Sequence, residues 1–588
     1  MPFAFETGLD RAPPWVRDVL ALAPALGAAV VIYAPTLGLF FAQDDVTFLL
    51  RAAGTDPTPW SFARPLSEGV AWRAMYAAFG VNPAPFHAVL LSLHLIATAL
   101  VYFAARRLFG GRVAAGCAAV LFGASSVGFT ALHWSSCIVE VLATTLALAS
   151  FTLWLEARAY GSRALLWISA VVMVGAMLSK ESTVVLPVVL LMAAWRDGAG
   201  RSAGKLCAPH AALAALLVAA FFISRPLFGY GQYVGGGYTM SFAPGFLLAN
   251  LGTYLSWSVS LLDPIRDLSA MAHPGAGPLG LLMIAVVTTG VLQGWRRERD
   301  PLALGMLWFA LFLLPVLPLA HHSYLYYMYL PWAGAAWAIV AALRAMCDRV
   351  SRPVLIVAST AALAAFIGVQ AHGVRVRESA SQLGVPTDKT VRESLLLRNA
   401  ITGLRTARLA PGTRVGFVNP FPREHHAAGG PGSTGAATTG AIRSYIPLEG
   451  ALRGGESLRL FVPGLVYAGF AVLPPQGWED VEMFLFDNDG TLSALGRGAR
   501  AFVKLGKLML DLERPAEAEA MLSRAKLLGA VTADSDYLMM IAIGGQGRID
   551  EGQRAARAFL ARWPLDPRAG RIRAQILQGD AAVPALGR

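Results

Sequence analysis

The chain has 588 residues, 55% of them hydrophobic and 15% charged, with a mean hydropathy of +0.53. Soluble domains carry about 25% charged residues, so this balance excludes an ordinary soluble protein and indicates a membrane protein. The formal net charge is +12, but the basic residues recur between apolar segments and form no single patch, which argues against a nucleic-acid partner.

After a short polar stretch, the first apolar segment runs over 16–40. It lacks a convincing small-residue cleavage site and reads as an uncleaved span. Further segments at 85–105, 113–132, 138–156, 164–179, 182–195, 209–226, 278–295, 302–319, 326–345 and 353–371 bring the total to about eleven, each near the ~20 residues that a bilayer core demands. Basic residues group as Arg106, Arg107 and Arg112; Arg158 and Arg163; Arg196, Arg201 and Lys205; Arg296, Arg297 and Arg299; Arg344, Arg349 and Arg352. All of these groups fall on one side, which makes that side, and the N-terminus, cytoplasmic. The loop after the first span and everything beyond residue 371 then face outward. Residues 243–263 are apolar enough to span, but counting them would put Trp295 to Arg299 outside. They read as a helix in the outer interface, ended by Asp263-Pro264.

Beyond the spans the composition turns polar and β-like runs appear at Arg414–Val418, Leu458–Val462 and Met483–Phe486. The glycine-rich piece from Ala427 to Gly440 reads as a mobile loop. The final stretch is helical and repeats. Ala518 and Gly552, Ala525 and Phe559, Glu517 and Glu551, and Arg514 and Arg548 are each 34 residues apart, the period of tetratricopeptide repeats. Two repeats are few for a solenoid and are expected to pack on the preceding domain. The expected fold class is an all-α polytopic membrane protein, with a periplasmic α+β segment and tetratricopeptide-like terminal helices. The expected domains are 1–372, 373–493 and 494–588.

Chemistry concentrates between Phe40 and His94. Asp44 and Asp45 stand side by side where the first span ends, and carboxylates beside hydrocarbon are costly enough to suggest a function. One can serve as general base toward a hydroxyl while its neighbour raises its pKa or holds a divalent cation. The bland alternative is a pair that merely solvates the rim. Arg64 offers a planar fork suited to phosphate oxygens, or else snorkels at the interface. His87, at the outer mouth, suits a leaving phosphate, whereas His94, two turns deeper, reads as a packing residue. Lys180 and Glu181 sit at the outer end of the fifth span, either as a phosphate-binding cation with its neighbour or as a self-neutralising cap. Arg225 is a weaker candidate of the same kind. The run His321-His322-Ser323-Tyr324-Leu325-Tyr326-Tyr327 reads as an aromatic belt or as a polar floor for a headgroup, with His321, His322, Tyr324 and Tyr327 as substrate contacts.

Two motifs mislead. Phe484 to Leu492 resembles the nucleophile motif of haloacid-dehalogenase phosphatases, but only repeat helices follow it, so a strand ending in an Asp-Gly turn fits better. Arg423-Glu424-His425-His426 lacks metal-ligand spacing, and no zinc or disulfide pattern emerges from Cys117, Cys137, Cys207 and Cys347.

With these residues laid out, the chain resembles the GT-C glycosyltransferases, in particular the membrane and tetratricopeptide-repeat group related to protein O-mannosyltransferases. The marks are Asp44-Asp45, Arg64-Pro65-Leu66, Gly80 through His87, His94, Lys180-Glu181, Tyr327-Met328-Tyr329-Leu330-Pro331 and the terminal repeats. The likeness does not clearly cover 380–493. Three places depart from it: Leu325-Tyr326 stands where Glu-Arg often precedes the tyrosine run, and Ser125-Ser126 and Thr130 replace an expected His-Pro and Glu before Trp134. The resemblance implies an inverting transfer from a polyprenyl-phosphate-linked sugar to a hydroxyl on a protein or glycan, with Asp44 as base, Asp45 beside it, and a protein partner at the terminal helices. The rival is a non-catalytic transporter or envelope assembly scaffold. A transporter would place paired charges near the midplane on broken helices, and a scaffold needs no acids at the rim.

Overall fold

The computed structural model describes residues 13–577 except 62, 197, 201, 225–238, 260–267, 270–300, 321, 348–351, 383–384, 421–444 and 488. The chain divides into two compact units, Met1–Gln382 with Pro386–Val391, and Leu383–Val385 with Arg392–Arg588.

The first unit is a bundle of apolar helices. Among the described residues, Pro14–Gly38, Pro83–Phe109, Ser135–Tyr160, Ser202–Ser224 and Val357–Ser379 are long and apolar enough to cross a membrane. Arg112–Gly123 and Ser126–His133, bent by 41° at their junction, count as a sixth if taken together. Arg163–Ser179, Glu181–Trp195 and Pro301–Val316 are shorter apolar helices, and the expected segment at 278–295 lies outside the described residues. We number the helices α1 (Pro14–Tyr33), α2 (Asp45–Ala52), α3 (Trp72–Phe79), α4 (Pro83–Phe109), α5 (Arg112–Gly123), α6 (Phe129–His133), α7 (Ile138–Tyr160), α8 (Arg163–Ser179), α9 (Leu186–Arg196), α10 (Ser202–Ser224), α11 (Pro244–Val259), α12 (Pro301–Leu313), α13 (Tyr329–Cys347), α14 (Arg352–Ser379) and α15 (Lys389–Ala407). Helix α11 lies in the stretch expected at the interface.

Small residues set the closest crossings. A Cβ on Gly305 of α12 would lie 2.5 Å from the Gly334 carbonyl oxygen of α13, so only glycine permits that approach. The break between α5 and α6 leaves carbonyls without helical partners, and buried side chains take them up. His94 bonds the Gly123 carbonyl at 3.0 Å and the Tyr329 hydroxyl at 2.7 Å, Tyr33 donates to the Ser125 carbonyl, and Gln370 accepts from the Ser126 amide at 2.6 Å. His94 is thus a packing residue.

One end of the bundle gathers the basic residues. Asp18 accepts from Tyr102, Arg106 and Arg112, while Arg107 pairs with Glu156 and Arg344 donates to the Phe109 carbonyl. At the opposite end lie the start of α4, the start of α7, the end of α8 and the start of α13. That end holds the candidate site.

The second unit carries a four-stranded mixed sheet of β1 (Arg414–Val418), β2 (Val466–Ala471), β3 (Glu482–Phe486) and β4 (Leu492–Gly496), in the order β2-β1-β3-β4. The β1–β2 and β1–β3 pairs are parallel, and β3–β4 is an antiparallel hairpin. The hairpin turns through Asp487 and Gly490, so the phosphatase-like run is a strand and turn. The strand expected at Leu458–Val462 is instead a helix, Glu456–Phe461. Gly454 and Gly455 at positive φ redirect the chain, Glu456 stands in the first helical turn, and Ser457, Leu458 and Phe461 fall together on the buried face. Helices Gly498–Asp511, Pro515–Leu527, Ala533–Gly544, Ile549–Arg562 and Ala569–Leu577 complete the unit. Phe502, Leu505, Met521 and Ala525 share a core with Val418, Trp478 and Met483 of the sheet region, and a second core joins Met509, Leu522, Met540 and Phe559. The Ala427–Gly440 loop and Arg423–His426 lie outside the described residues.

Candidate active site

The acidic turn closes on itself before α2 begins. Gln43 adopts φ 50°, and the Asp45 amide donates to the Ala42 carbonyl at 3.0 Å. The two aspartates then part. Asp44 is exposed, whereas Asp45 is completely buried. Asp45 Oδ2 accepts from the Ala42 amide at 2.9 Å, and Oδ1 accepts from the Ser136 amide at 2.7 Å and the Ser136 hydroxyl at 2.5 Å. Burial pushes the Asp45 carboxyl up to about 7, despite those donors, with the neighbouring Asp44 charge adding to the rise. Both Asp45 oxygens therefore face protein donors, while Asp44 faces outward. Among the described residues, no three His, Cys, Asp or Glu side chains converge as a metal site.

Ser136 is the middle residue of the 3₁₀ turn Ser135–Cys137 that leads into α7, so Asp45 places a carboxylate at that helix's N-terminal end, where a negative charge is favoured. One turn on, Glu140 pairs with Lys180, and both side chains are buried. The Lys180 ammonium also lies 4.4 Å from the Tyr327 ring centroid and 5.4 Å from that of Tyr326. Tyr324 stacks on Tyr326 with centroids 5.1 Å apart, and His322 meets Tyr324 edge-on at 4.6 Å. Trp134 completes the link. Its indole N–H donates to the Ala42 carbonyl at 3.2 Å, and its ring lies 6.0 Å from Tyr326. The acidic turn, Lys180, His322, Tyr324 and Tyr327 therefore belong to one polar and aromatic rim. Burial, and then the nearby Lys180, Arg64 and Lys389, lower the His322 pKa to about 4, so its imidazole is neutral near pH 7.

Arg64 sits next to this rim and is engaged. Its Nε and Nη2 donate to the two Glu181 oxygens at 2.8 and 2.6 Å, and Nη1 lies 3.3 Å from Glu68. Burial raises the Glu68 pKa, with Arg64 pulling the other way. Pro65–Ala71 forms a π-helix that fixes this arginine, and Ser67 within it donates to the Ser179 carbonyl at the end of α8, next to Lys180. His87 is not at a mouth. It is fully buried against Ser135, whose hydroxyl is 3.5 Å from Nε2, at the limit of a hydrogen bond. Arg225 and His321 lie outside the described residues.

Several members of the site escaped the sequence reading. Glu140 had a signal, an acid in the first turn of a long apolar segment. Tyr326 lay within the tyrosine run but was not singled out, and Trp134 and Ser136 had no signal, since their partners lie far along the chain. The same holds for His133, whose Nε2 is 2.9 Å from Glu378, and for Arg377, which pairs with Asp388 at 2.7 Å.

Residues 64–227 match the family described as dolichyl-phosphate-mannose-protein mannosyltransferase. The match includes Arg64, His87, Lys180, Glu181 and Arg225 and begins after the acidic turn. Among solved structures, the chain is similar to ArnT from Cupriavidus metallidurans bound to undecaprenyl phosphate, at 13% identity and a TM-score of 0.34, over 69% of this chain and 82% of that one. It is also similar to the Archaeoglobus fulgidus oligosaccharyltransferase in its apo form, at 12% identity and a TM-score of 0.41, over 78% of this chain and 65% of that one. No curated protein matches the sequence. Over residues 64–227, then, the chain resembles the protein mannosyltransferases that this family describes.

Proposed function

We propose that this chain is a bacterial inner-membrane glycosyltransferase that moves a sugar from a polyprenyl-phosphate donor to a hydroxyl of a protein or glycan on the periplasmic side. Asp44 supports the proposal most directly. It is the exposed member of a carboxylate pair whose other member is fastened, and it shares a rim with Lys180 and the tyrosines. The family match over residues 64–227 supports a polyprenyl-phosphate-linked donor.

Breaking a sugar–phosphate bond leaves positive charge at the anomeric carbon and negative charge on the departing phosphate. In this reading Asp44 takes the proton of the incoming hydroxyl, attack comes from the opposite face, and the anomeric configuration inverts. Asp45 holds the turn and does not touch substrate. Lys180 is buried with Glu140 among aromatic rings, and burial lowers its pKa to about 7; its protonated form supplies a positive field that is worth more there than in water. Arg64 is held by the half-exposed Glu181, and an incoming phosphate can exchange with that carboxylate. The terminal helices orient the acceptor or a protein partner. The grouping of basic residues supports an N-terminus inside and a chain beyond residue 371 outside.

Asp44→Asn tests the proposal. Transfer of labelled sugar to the envelope should fall by about 10²–10⁴-fold with the protein still folded in the membrane. Wild-type incorporation by that variant would instead indicate a scaffold.

A further inference from the structure

The acidic turn is held from a second direction, by residues that follow the last apolar helix. Gln43, immediately before Asp44, donates its side-chain amide to the Thr390 hydroxyl at 2.8 Å. Gln43 is one of few non-glycine residues at positive φ among those described, at 50°, a conformation that an L side chain adopts only when something holds it. Thr390 is buried and is fixed in turn. Asp388 Oδ1 accepts from the Thr390 amide at 2.9 Å and the Val391 amide at 3.1 Å, capping the start of α15. Asp388 Oδ2 accepts from Arg377 Nε at 2.9 Å and Nη2 at 2.7 Å. Arg377, near the end of α14, has its guanidinium 4.2 Å from the Phe129 ring centroid and donates to Thr130 at 3.3 Å. Phe129 and Thr130 belong to α6, which leads directly to Trp134 and Ser136. Both holds on the turn thus return to the same short helix.

We propose that Gln43 and Thr390 are a positioning pair that aims the Asp44 carboxylate, with Arg377 and Asp388 setting where Thr390 stands. The proposal rests on the reading of Asp44 as base. Trp134 and Ser136 fix the backbone and the buried Asp45, and two bonds between Ala42 and Asp45 close the turn around Gln43 and Asp44. The Gln43 amide ties the residue before Asp44 to a partner outside that turn. Without this tie the turn loosens, and the Asp44 carboxylate is held less narrowly at the rim. A misplacement of about 1 Å at a reacting group costs on the order of 10²-fold in rate.

The test uses full-length variants in membranes of a strain lacking the chain, the readout being the glycoconjugate that the strain loses and wild type restores. Thr390→Val keeps the shape and removes the acceptor. It should lower the rate of product formation by about 10- to 100-fold at equal protein level. Thr390→Ser should restore it, a rescue that a purely structural role for the methyl group would not give. Gln43→Ala should match Thr390→Val, and the double variant should be no slower than either, because one bond is removed only once. Hydrogen exchange at the Phe41–Asp45 amides should rise in Thr390→Val and return in Thr390→Ser. Normal product from Thr390→Val alongside an inactive Asp44→Asn would overturn the positioning pair alone, as would failure of Thr390→Ser to rescue or multiplied losses in the double variant. Normal product from Asp44→Asn would remove the base, and the pair with it.

Discussion

Asp45 is fastened to Ser136 across 91 positions of sequence, with both the amide and the hydroxyl of the serine donating to one carboxylate oxygen. That bond ties the loop after the first span to the helix bearing Glu140. It also sets the two aspartates apart, since Asp45 is buried and Asp44 is exposed.

Asp45→Asn tests the fastening. An amide nitrogen cannot accept from the Ala42 or Ser136 amides, so one of these donors loses its partner inside the protein. The expected loss is about 1–3 kcal/mol of stability, read as a lower melting temperature in detergent. Wild-type melting would show that the contacts carry no weight.

The same residue gives a pH dependence with a defined sign. Burial raises the folded pKa of Asp45 to about 7, above the 3.8 of an ordinary aspartate, so between these values the folded chain holds a proton that the unfolded chain has released. Its contribution is complete below the unfolded pKa and is lost as pH rises through about 7. The melting temperature of wild type relative to Asp45→Asn should therefore fall from pH 4 to pH 7 and level off above. A difference that rises with pH over that window contradicts the assignment.

Lys180 and Glu140 should behave as one unit. Removing either partner leaves a charge buried, at a cost of about 3–5 kcal/mol, whereas removing both leaves none. Lys180→Met and Glu140→Gln should each lower the melting temperature sharply, and the double variant should be more stable than the sum predicts. Simple additivity in that cycle would mean that the two are not coupled.

The glycine crossing of α12 and α13 predicts a contrast. Gly305→Ala drives a methyl into the Gly334 carbonyl and should cost about 1–3 kcal/mol, seen as reduced folded yield. Gly27→Ala, with no atom within 4 Å of the new methyl, should be tolerated. Equal behaviour of the two would put the close approach in doubt.

His94 gives the last test. His94→Phe keeps the ring packing but leaves the Tyr329 hydroxyl and the Gly123 carbonyl without this partner. A loss of about 1–3 kcal/mol is expected for a buried polar group left unmatched. An unaltered melting temperature would mean that the break between α5 and α6 holds without the histidine.

The sequence alone determined where the apolar helices run. Burial in a bilayer is a property of about 20 consecutive residues, and composition reports it locally. Arg163–Ser179, Pro83–Phe109 and Ser202–Ser224 all appear close to the expected positions. Adjacent aspartates at the end of the first span were likewise legible as out of place. Which one is buried was not legible, because neighbouring residues on a helix point about 100° apart and only the packing around them chooses the inward direction. The partners of Lys180, Arg64 and Gln43 were also hidden, as each is a side chain distant along the chain that the folded bundle brings to the same end. The strand expected at Leu458–Val462 failed for a related reason. Its short apolar run fits either period, and the glycines before it and the core beside it selected the helix.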